Sequence, residues 1–215
     1  MSSALVIFAR EPLPGKVKTR LAKGTDDETA AAIYAALLGH TIETARTTGV
    51  EVVISLAEKP TSSWATGLEV PLEVQSGGDI GTRMAACFDR RFSEGRQQVV
   101  IIGSDNAHIL PAHVLAAFTA LEEDPVVLGP AEDGGYWMVG QRSPGIDLFT
   151  GVPWSSPKTL EVTRERLNTL DARWKELEIL PDIDNAEDLR RAIKDPRVPE
   201  QLRVRLSSAL NNSDQ

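Results

Sequence analysis

Apolar and polar positions along the chain alternate between two patterns. Residues 4–9 and 99–103 are continuous apolar runs, which predict strands buried on both faces as in parallel sheets. Residues 25–48 instead carry apolar side chains at helical spacing, with acids in the first turn and Gly49 as a stop signal. The same patterns predict strands at 52–56, 72–74, 126–128, 136–139 and 178–180, and helices at 83–92, 111–121, 156–170, 187–193 and 199–210.

This alternation of strands and helices predicts the fold class. It indicates an α/β protein, a Rossmann-like three-layer sandwich with a mostly parallel sheet and helices on both faces. The length favours one domain over residues 1–210, with a disordered tail at 211–215. Ligands of such sheets bind beyond the carboxyl ends of the strands, so the loops at 10–20, 75–83, 103–108 and 129–136 become the candidate site.

Charge is distributed unevenly along the chain. The formal net charge is −8, yet residues 1–25 alone carry +4 and the remaining residues −12. An acidic protein with one short basic segment is not expected to bind nucleic acid or a membrane surface, but it suits a small anion. Cys87 is the single cysteine, so the chain cannot form an intramolecular disulfide. The sequence also has no apolar run long enough to span a membrane, and both observations favour a cytoplasmic protein.

The basic segment follows the first predicted strand directly. Cationic side chains and a glycine that permits close backbone approach are typical of phosphate sites, although Val17 excludes a Walker A loop. A solvated basic turn is the alternative interpretation. The candidate phosphate-binding residues are Arg10, Gly15, Lys16, Lys18 and Arg20.

Acidic residues follow later strands. Asp105 comes just after the strand predicted at 99–103, where a carboxylate can hold Mg²⁺. Asp182 and Asp184 lie on one face of an extended segment, and either could complete the metal shell, with Asp184 as our choice. The alternative for Asp105 and for Asp184 is capping of a turn or helix.

Two glycine-containing loops complete the predicted site. Gly77 and Gly78 precede a helix with Arg83 in its first turn, so they could present backbone N–H groups to an anion. A glycine turn capped by Asp79 or Thr82 explains the pattern almost as well. Asp133 lies in an Asp-Gly-Gly segment and could serve as a base, the alternative being a simple β-hairpin turn.

Six ordered segments resemble a known family over about residues 4–190: FAREPLPGKVKTRL, QSGGDIGTRM, VVIIGSD, LGPAEDGGYWMVG, VPWSSP and DIDNAEDL. They are similar to the uncharacterised glycosyltransferase-A-like, radical-SAM-associated family of the nucleotide-diphospho-sugar transferase superfamily. The resemblance implies a nucleotide bound with Mg²⁺ or Mn²⁺, the metal on Asp105. The superfamily's nucleotidyltransferases also carry a basic loop on the phosphates, which Arg10, Lys16, Lys18 and Arg20 match. Asp105 lacks the usual Asp-x-Asp partner, so either Asp105 coordinates the metal as the single carboxylate or Asp182 or Asp184 supplies a second one.

These observations predict a metal-dependent transferase that uses a nucleotide or nucleotide-sugar donor and a small-molecule acceptor. Glycosyl transfer from a nucleoside diphosphate sugar is the leading hypothesis, with Lys16, Lys18 and Asp133 as catalytic residues. Nucleotidyl transfer from a nucleoside triphosphate, with release of pyrophosphate, is nearly as well supported. A nucleotide-binding partner protein without catalysis is the third alternative.

Overall fold

The computed structural model describes residues 2–211, which form a seven-stranded sheet covered by helices on both faces. The strands are β1 (Ser3–Ala9), β2 (Glu51–Leu56), β3 (Leu72–Val74), β4 (Gln98–Ile102), β5 (Val126–Pro130), β6 (Tyr136–Arg142) and β7 (Trp174–Glu176). The helices are α1 (Thr19–Ala22), α2 (Asp27–Arg46), α3 (Ile80–Ser93), α4 (Pro111–Glu123), α5 (Thr159–Thr169), α6 (Ala186–Lys194) and α7 (Glu200–Asn211). The strand order is β3-β2-β1-β4-β6-β5-β7.

The centre of the sheet is parallel, as the apolar runs predict. β1 pairs with β2 on one side and β4 on the other, so that Val6 lies between Val53 and Ile101. β6 runs antiparallel to both of its neighbours, β4 and β5, and it forms a hairpin with β5. The prediction of a mostly parallel sheet is therefore confirmed, with one reversed strand.

Helices cover both faces and thereby form the predicted three layers. α2 and α4 pack on one face, through side chains such as Leu38 and Phe118, whereas α3 and α5 pack on the other through Phe88 and Leu167. α7 lies against α2, and α6 packs against α7 in the same apolar cluster. Asp26 caps α2 by accepting a hydrogen bond from the Thr29 amide at 2.7 Å.

Two elements differ from the sequence prediction. The strand expected at 178–180 lies instead at Trp174–Glu176, where it pairs with β5, and Leu180 forms only an isolated bridge to Ala131. Residues 177–180 continue beside the end of β5, where the Leu177 amide donates to the Leu128 carbonyl at 2.9 Å and the Leu180 amide to the Pro130 carbonyl at 3.1 Å. The apolar pattern therefore marks this irregular continuation and not the regular strand before it. Helix α1 inside the basic loop was not expected.

Asn211 belongs to α7, and the rest of the tail predicted at 211–215 lies outside the described residues. None of the helices within residues 2–211 combines the length and the apolar character that crossing a bilayer requires.

Candidate functional site

A cavity of about 630 Å³ opens at the carboxyl ends of β1 and β4. We call it the polar cavity, and its lining includes seven residues predicted from the sequence: Arg10, Lys16, Lys18, Arg20, Arg83, Asp105 and Asp184. It is also lined by residues that were not predicted, among them Phe8, Tyr34, Gln75, Ile80 and Ser104. The fold therefore brings together side chains from four separate segments of the chain, around residues 10–20, 83, 105 and 184.

Lys18 is the residue on which this arrangement depends. Its side chain is only 7% exposed, and its Nζ donates to Asp105 Oδ2 at 2.8 Å and to the Ile183 carbonyl oxygen at 2.6 Å. Asp184 Oδ1 lies 4.0 Å from the same ammonium. The Lys18 backbone has φ 47°, a left-handed conformation that costs a non-glycine residue about 1–3 kcal/mol. The fold thus places one buried cation between two acidic loops.

The other cations of the basic loop differ in their partners. Arg20 is 76% exposed and its Nη1 donates to Asp184 Oδ2 at 2.9 Å. Arg10 and Lys16 are exposed and form no ion pair with any residue between 2 and 211. Arg83 donates from Nε to the Gly78 carbonyl at 2.9 Å, which holds its guanidinium at the cavity. Arg10, Lys16 and Arg83 are therefore the cations most available to an anionic ligand.

Negative charge accumulates beneath Lys18. One oxygen of Asp182 is buried without a hydrogen-bond partner, and burial, followed by the charges of Asp133 and Asp105, raises the pKa of this carboxyl to about 7. Lys18 opposes this shift and Asp184 adds to it. Burial and the neighbouring carboxylates thus favour the protonated form of Asp182 more strongly than Lys18 opposes it.

These acids fit a divalent cation that shares its shell with a ligand. Asp105 and Asp184 reach the same ammonium, so their oxygens converge, and Mg²⁺ commonly takes one or two carboxylates together with water and phosphate oxygens. In the part of the chain that the structure describes, no group of three or more His, Cys, Asp or Glu side chains forms a ready-made metal site. The donor set therefore suits Mg²⁺ or Mn²⁺ bound together with phosphate.

The predicted glycines lie outside the lining of the polar cavity and instead shape its loops. Gly15 and Gly78 have φ of 71° and 101°, conformations that favour glycine. Gly77 lies in the same loop, and Asp79 caps α3 through the Thr82 amide at 2.8 Å, as the alternative interpretation expected. Phosphate binding by Gly15, Gly77 and Gly78 remains a prediction.

Asp133 lies in an adjoining, smaller cavity of about 230 Å³, which we call the apolar cavity. Its lining includes Phe8, Ile80 and Gly103, which it shares with the polar cavity, together with Met84, Asp133, Tyr136, Trp154 and Ser155. Asp133 belongs to the turn of the β5–β6 hairpin, where its Oδ1 accepts a hydrogen bond from the Gly135 amide at 2.8 Å. The turn is therefore a hairpin, as the alternative interpretation expected, and it also lines a cavity, while a catalytic role for Asp133 remains a prediction.

Tyr34 is a part of the site that sequence reasoning missed. Its hydroxyl shares a hydrogen bond of 2.7 Å with Ser104 Oγ and accepts one of 2.9 Å from the Arg10 amide. Burial raises the pKa of this phenol. Tyr34 thereby ties α2 to the ends of β1 and β4, and a single tyrosine in an alanine-rich helix was the only signal that the sequence offered.

Comparison with known families supports the assignment of the fold. The profile of a bacterial family described as "Uncharacterized protein conserved in bacteria (DUF2064)" matches residues 40–156, more than half of the chain. The chain belongs to this family. A search of curated proteins gave no match.

Solved structures share the whole fold. A crystal structure from Desulfovibrio desulfuricans G20, which carries the provisional name nucleotide-diphospho-sugar transferase, is 25% identical with a TM-score of 0.88, and the match covers 99% of this chain and 98% of that one. A CMP:2-keto-3-deoxy-manno-octonic acid synthetase complexed with CTP gives 13% identity, a TM-score of 0.55, and coverage of 89% and 96%. The inositol-1-phosphate CTP transferase of T. maritima is 13% identical with a TM-score of 0.53, and the match covers 97% of this chain and 96% of that one.

These similarities confirm the predicted nucleotide-diphospho-sugar transferase fold and the resemblance to that superfamily. The D. desulfuricans and T. maritima structures are named as transferases, in agreement with the predicted enzyme class. The association with radical-SAM proteins remains a prediction.

Proposed function

We propose that this protein is a metal-dependent transferase that moves a glycosyl group from a nucleoside diphosphate sugar to a small-molecule acceptor. The observation that supports this most strongly is the polar cavity, in which five basic side chains and two carboxylates meet at the carboxyl ends of the central strands. Ligands of doubly wound sheets bind at this edge. The provisional name of the D. desulfuricans structure supports the same donor class.

The basic residues divide the work of binding the diphosphate. Arg10, Lys16 and Arg83 carry the charges that are available to phosphate oxygens, and an arginine can bind two oxygens at once. Lys18 is fixed deeper, on Asp105, where a buried ammonium stabilises charge that develops on the leaving phosphate. Lys16 and Lys18 therefore act in catalysis as well as in binding.

Asp105 and Asp184 would hold Mg²⁺ or Mn²⁺ beside Lys18 when the donor binds, through their Oδ1 atoms, because Lys18 is hydrogen-bonded to Asp105 Oδ2 and Arg20 to Asp184 Oδ2. A divalent cation at this place supplies neutralising charge for the diphosphate. Arg20 holds Asp184 in position through their 2.9 Å ion pair.

The transfer step needs a base on the acceptor side. Asp133 takes the proton of the acceptor hydroxyl, whose oxygen forms the new bond to the anomeric carbon. The bond from that carbon to the diphosphate oxygen breaks, and the electron pair leaves with the nucleoside diphosphate. The Gly135 amide orients the Asp133 carboxylate for this role.

Nucleotidyl transfer is the second candidate. Five cations around one cavity suit a triphosphate at least as well as a diphosphate, and the similar structures include a synthetase complexed with CTP and an enzyme named as a CTP transferase. The acceptor oxygen would then attack the α-phosphorus, and pyrophosphate would leave with the electron pair. Release of pyrophosphate therefore distinguishes this reaction from glycosyl transfer.

Calorimetric titration tests the proposal directly. The titrants are UDP, GDP, GTP, UDP-glucose and GDP-mannose, each with and without Mg²⁺, on the wild-type protein and on Asp105→Asn. We expect binding to at least one nucleotide sugar, tightened by Mg²⁺ in the wild type but not in the variant. Failure of every nucleotide to bind would contradict the proposal, and a clear preference for GTP with pyrophosphate release would favour the second candidate.

A further inference from the structure

The apolar cavity has a lining opposite in character to that of its neighbour. Among the residues that line it, Asp133 carries the only charge, and no lysine or arginine contributes. Its walls are built largely from Met84, Tyr136, Trp154 and the shared residues Phe8 and Ile80. A phosphate or carboxylate placed here would lose water and face a carboxylate without a compensating cation. The lining therefore disfavours anionic ligands.

The aromatic wall of this cavity is fixed by packing. Trp154 meets Tyr136 edge to face with ring centroids 6.4 Å apart, and it also packs on Phe149 at 6.1 Å. On its other side the indole lies so close to Gly81 that a Cβ added there would stand 2.3 Å from the ring. Ser155, next to Trp154, has φ 56°, a strained conformation that the surrounding structure maintains. Such a wall is preorganised for contact with a ligand ring.

The size and position of the cavity indicate what it holds. Its volume of about 230 Å³ lies below the range of roughly 300–1,000 Å³ that is usual for drug-sized ligands, so it accommodates a single ring or a short apolar group. It adjoins the polar cavity along Phe8, Ile80 and Gly103. A molecule in the apolar cavity would thus lie beside a donor in the polar cavity.

We propose that the apolar cavity binds the acceptor, and that this acceptor is an uncharged molecule with an apolar ring and a hydroxyl group, not a phosphate ester. This inference rests on the proposed function and narrows its substrate class. Asp133 supports it, because its Oδ1 is held by the Gly135 amide and no described residue donates to its Oδ2, which leaves that oxygen for the acceptor hydroxyl. An acceptor of this kind fits glycosyl transfer, since nucleotidyl transfer to a phosphate ester would need cations where this cavity has none.

A matched pair of probes tests the proposal without any donor. Benzyl alcohol and benzyl phosphate differ only in the phosphate, and amide NMR spectra of the wild-type protein locate where each one binds. We expect benzyl alcohol to shift signals of residues 80–84, 133–139 and 154–159, and benzyl phosphate to bind there at least tenfold more weakly. Equal or tighter binding of benzyl phosphate at these residues, or no shift there with either probe, would overturn the proposal.

Variants of the cavity lining test which side chains bind the probes. Trp154→Ala should weaken benzyl alcohol binding about tenfold, whereas Trp64→Ala, which removes an indole outside both cavities, should leave it unchanged. Asp133→Asn should narrow the difference between the two probes, because it removes the charge that repels the phosphate. Unchanged affinities in both Trp154→Ala and Asp133→Asn would overturn the assignment of the cavity.

The same samples separate the two proposals. A titration with UDP and GDP in the presence of Mg²⁺ reports on the polar cavity alone. Nucleotide binding without benzyl alcohol binding would leave the proposed function standing and reject the acceptor assignment. Benzyl alcohol binding without any nucleotide binding would support the stated preference of the cavity and reject the proposed function.

Discussion

Two cavities share one edge of the sheet, yet they select for opposite properties. The polar cavity is lined by five basic and two acidic side chains, whereas the apolar cavity carries one acid among aromatic and aliphatic walls. Phe8, Ile80 and Gly103 line both. The difference teaches that charge recognition and shape recognition are separated in space, as a reaction between a charged donor and a neutral acceptor requires.

Both the polar cavity and the apolar cavity contain a residue with a strained backbone conformation. Within residues 2–211, three residues other than glycine have positive φ, and two of them, Lys18 and Ser155, line the polar and the apolar cavity respectively. Such conformations persist only where the surrounding structure maintains them, and they cluster at ligand sites. The two cavities are therefore both preorganised, by ion pairs in one and by ring packing in the other.

The largest expected effect comes from removing the Asp105 carboxylate of the polar cavity. Asp105→Asn should lower turnover about 100-fold or more, because it removes the negative charge that the proposed cation ligand needs and that pairs with the Lys18 ammonium. Steady-state kinetics with the identified donor measures it. Asp89→Asn, an exposed carboxylate on α3, is the matched control and should change nothing. Equal losses in the two variants would contradict the role of Asp105.

The hairpin that carries Asp133 gives the next largest effect, this time on stability. Gly134 has φ 87°, and a Cβ there would lie 2.1 Å from the Pro157 carbonyl oxygen, whereas Gly67 has φ 89° and open space around it. Ala at Gly67 should cost about 1–3 kcal/mol through the backbone alone. Ala at Gly134 should cost at least about 2 kcal/mol more through overpacking. Urea unfolding measures both, and equal losses would show that the close contact is unimportant.

A smaller effect is expected from the exposed cations of the polar cavity, which should bind nucleotide more strongly than cations elsewhere on the surface do. Lys16→Ala should weaken nucleotide binding about tenfold, since a charged hydrogen bond to phosphate contributes roughly 1.5–3 kcal/mol. The loss should shrink as salt is added, because Lys16 is exposed. Lys175→Ala on β7 is the control and should bind nucleotide as the wild type does. Calorimetry at two ionic strengths gives the comparison.

The smallest effect is expected where the polar cavity and the apolar cavity adjoin. Ile80 is 39% exposed although it lines both cavities, so Ile80→Ala should raise the KM for the acceptor about threefold through lost apolar contact. Its effect on unfolding should stay within about 0.5 kcal/mol, as for Val204→Ala, which removes an exposed side chain on α7. A larger effect on donor affinity than on the acceptor KM would contradict the division between the cavities.

The sequence predicted the centre of this fold better than its margins. β1 and β4 could be predicted because strands buried on both faces leave unbroken apolar runs, and the topology rule then placed Asp105 and the basic loop at one edge. The predicted position of β7 was wrong because the regular strand has the polar sequence Trp174–Glu176, whereas the apolar residues at 177–180 continue irregularly beside β5. The local hydrophobic pattern does not show which loops pack against each other.

The candidate site shows the same limit at the level of side chains. Positive charge at Lys18 was predictable, but its burial against Asp105 and Ile183 depends on loops 87 and 165 residues away in sequence. The apolar cavity was not predicted, since Trp154 and Met84 meet only through the packing of α3 against the segment before α5. Long-range contacts of this kind have no signature in a short motif.

The most direct test of the central claim is a map of where a nucleotide binds. Amide NMR spectra of the wild-type protein should be recorded as UDP or GDP is added with Mg²⁺, and repeated with Mn²⁺, which broadens signals near the metal. The account predicts shifts concentrated at residues 10–20, 75–83 and 103–105, with the strongest broadening at Asp105 and Asp184. Shifts confined to another face, or broadening far from these two carboxylates, would contradict it.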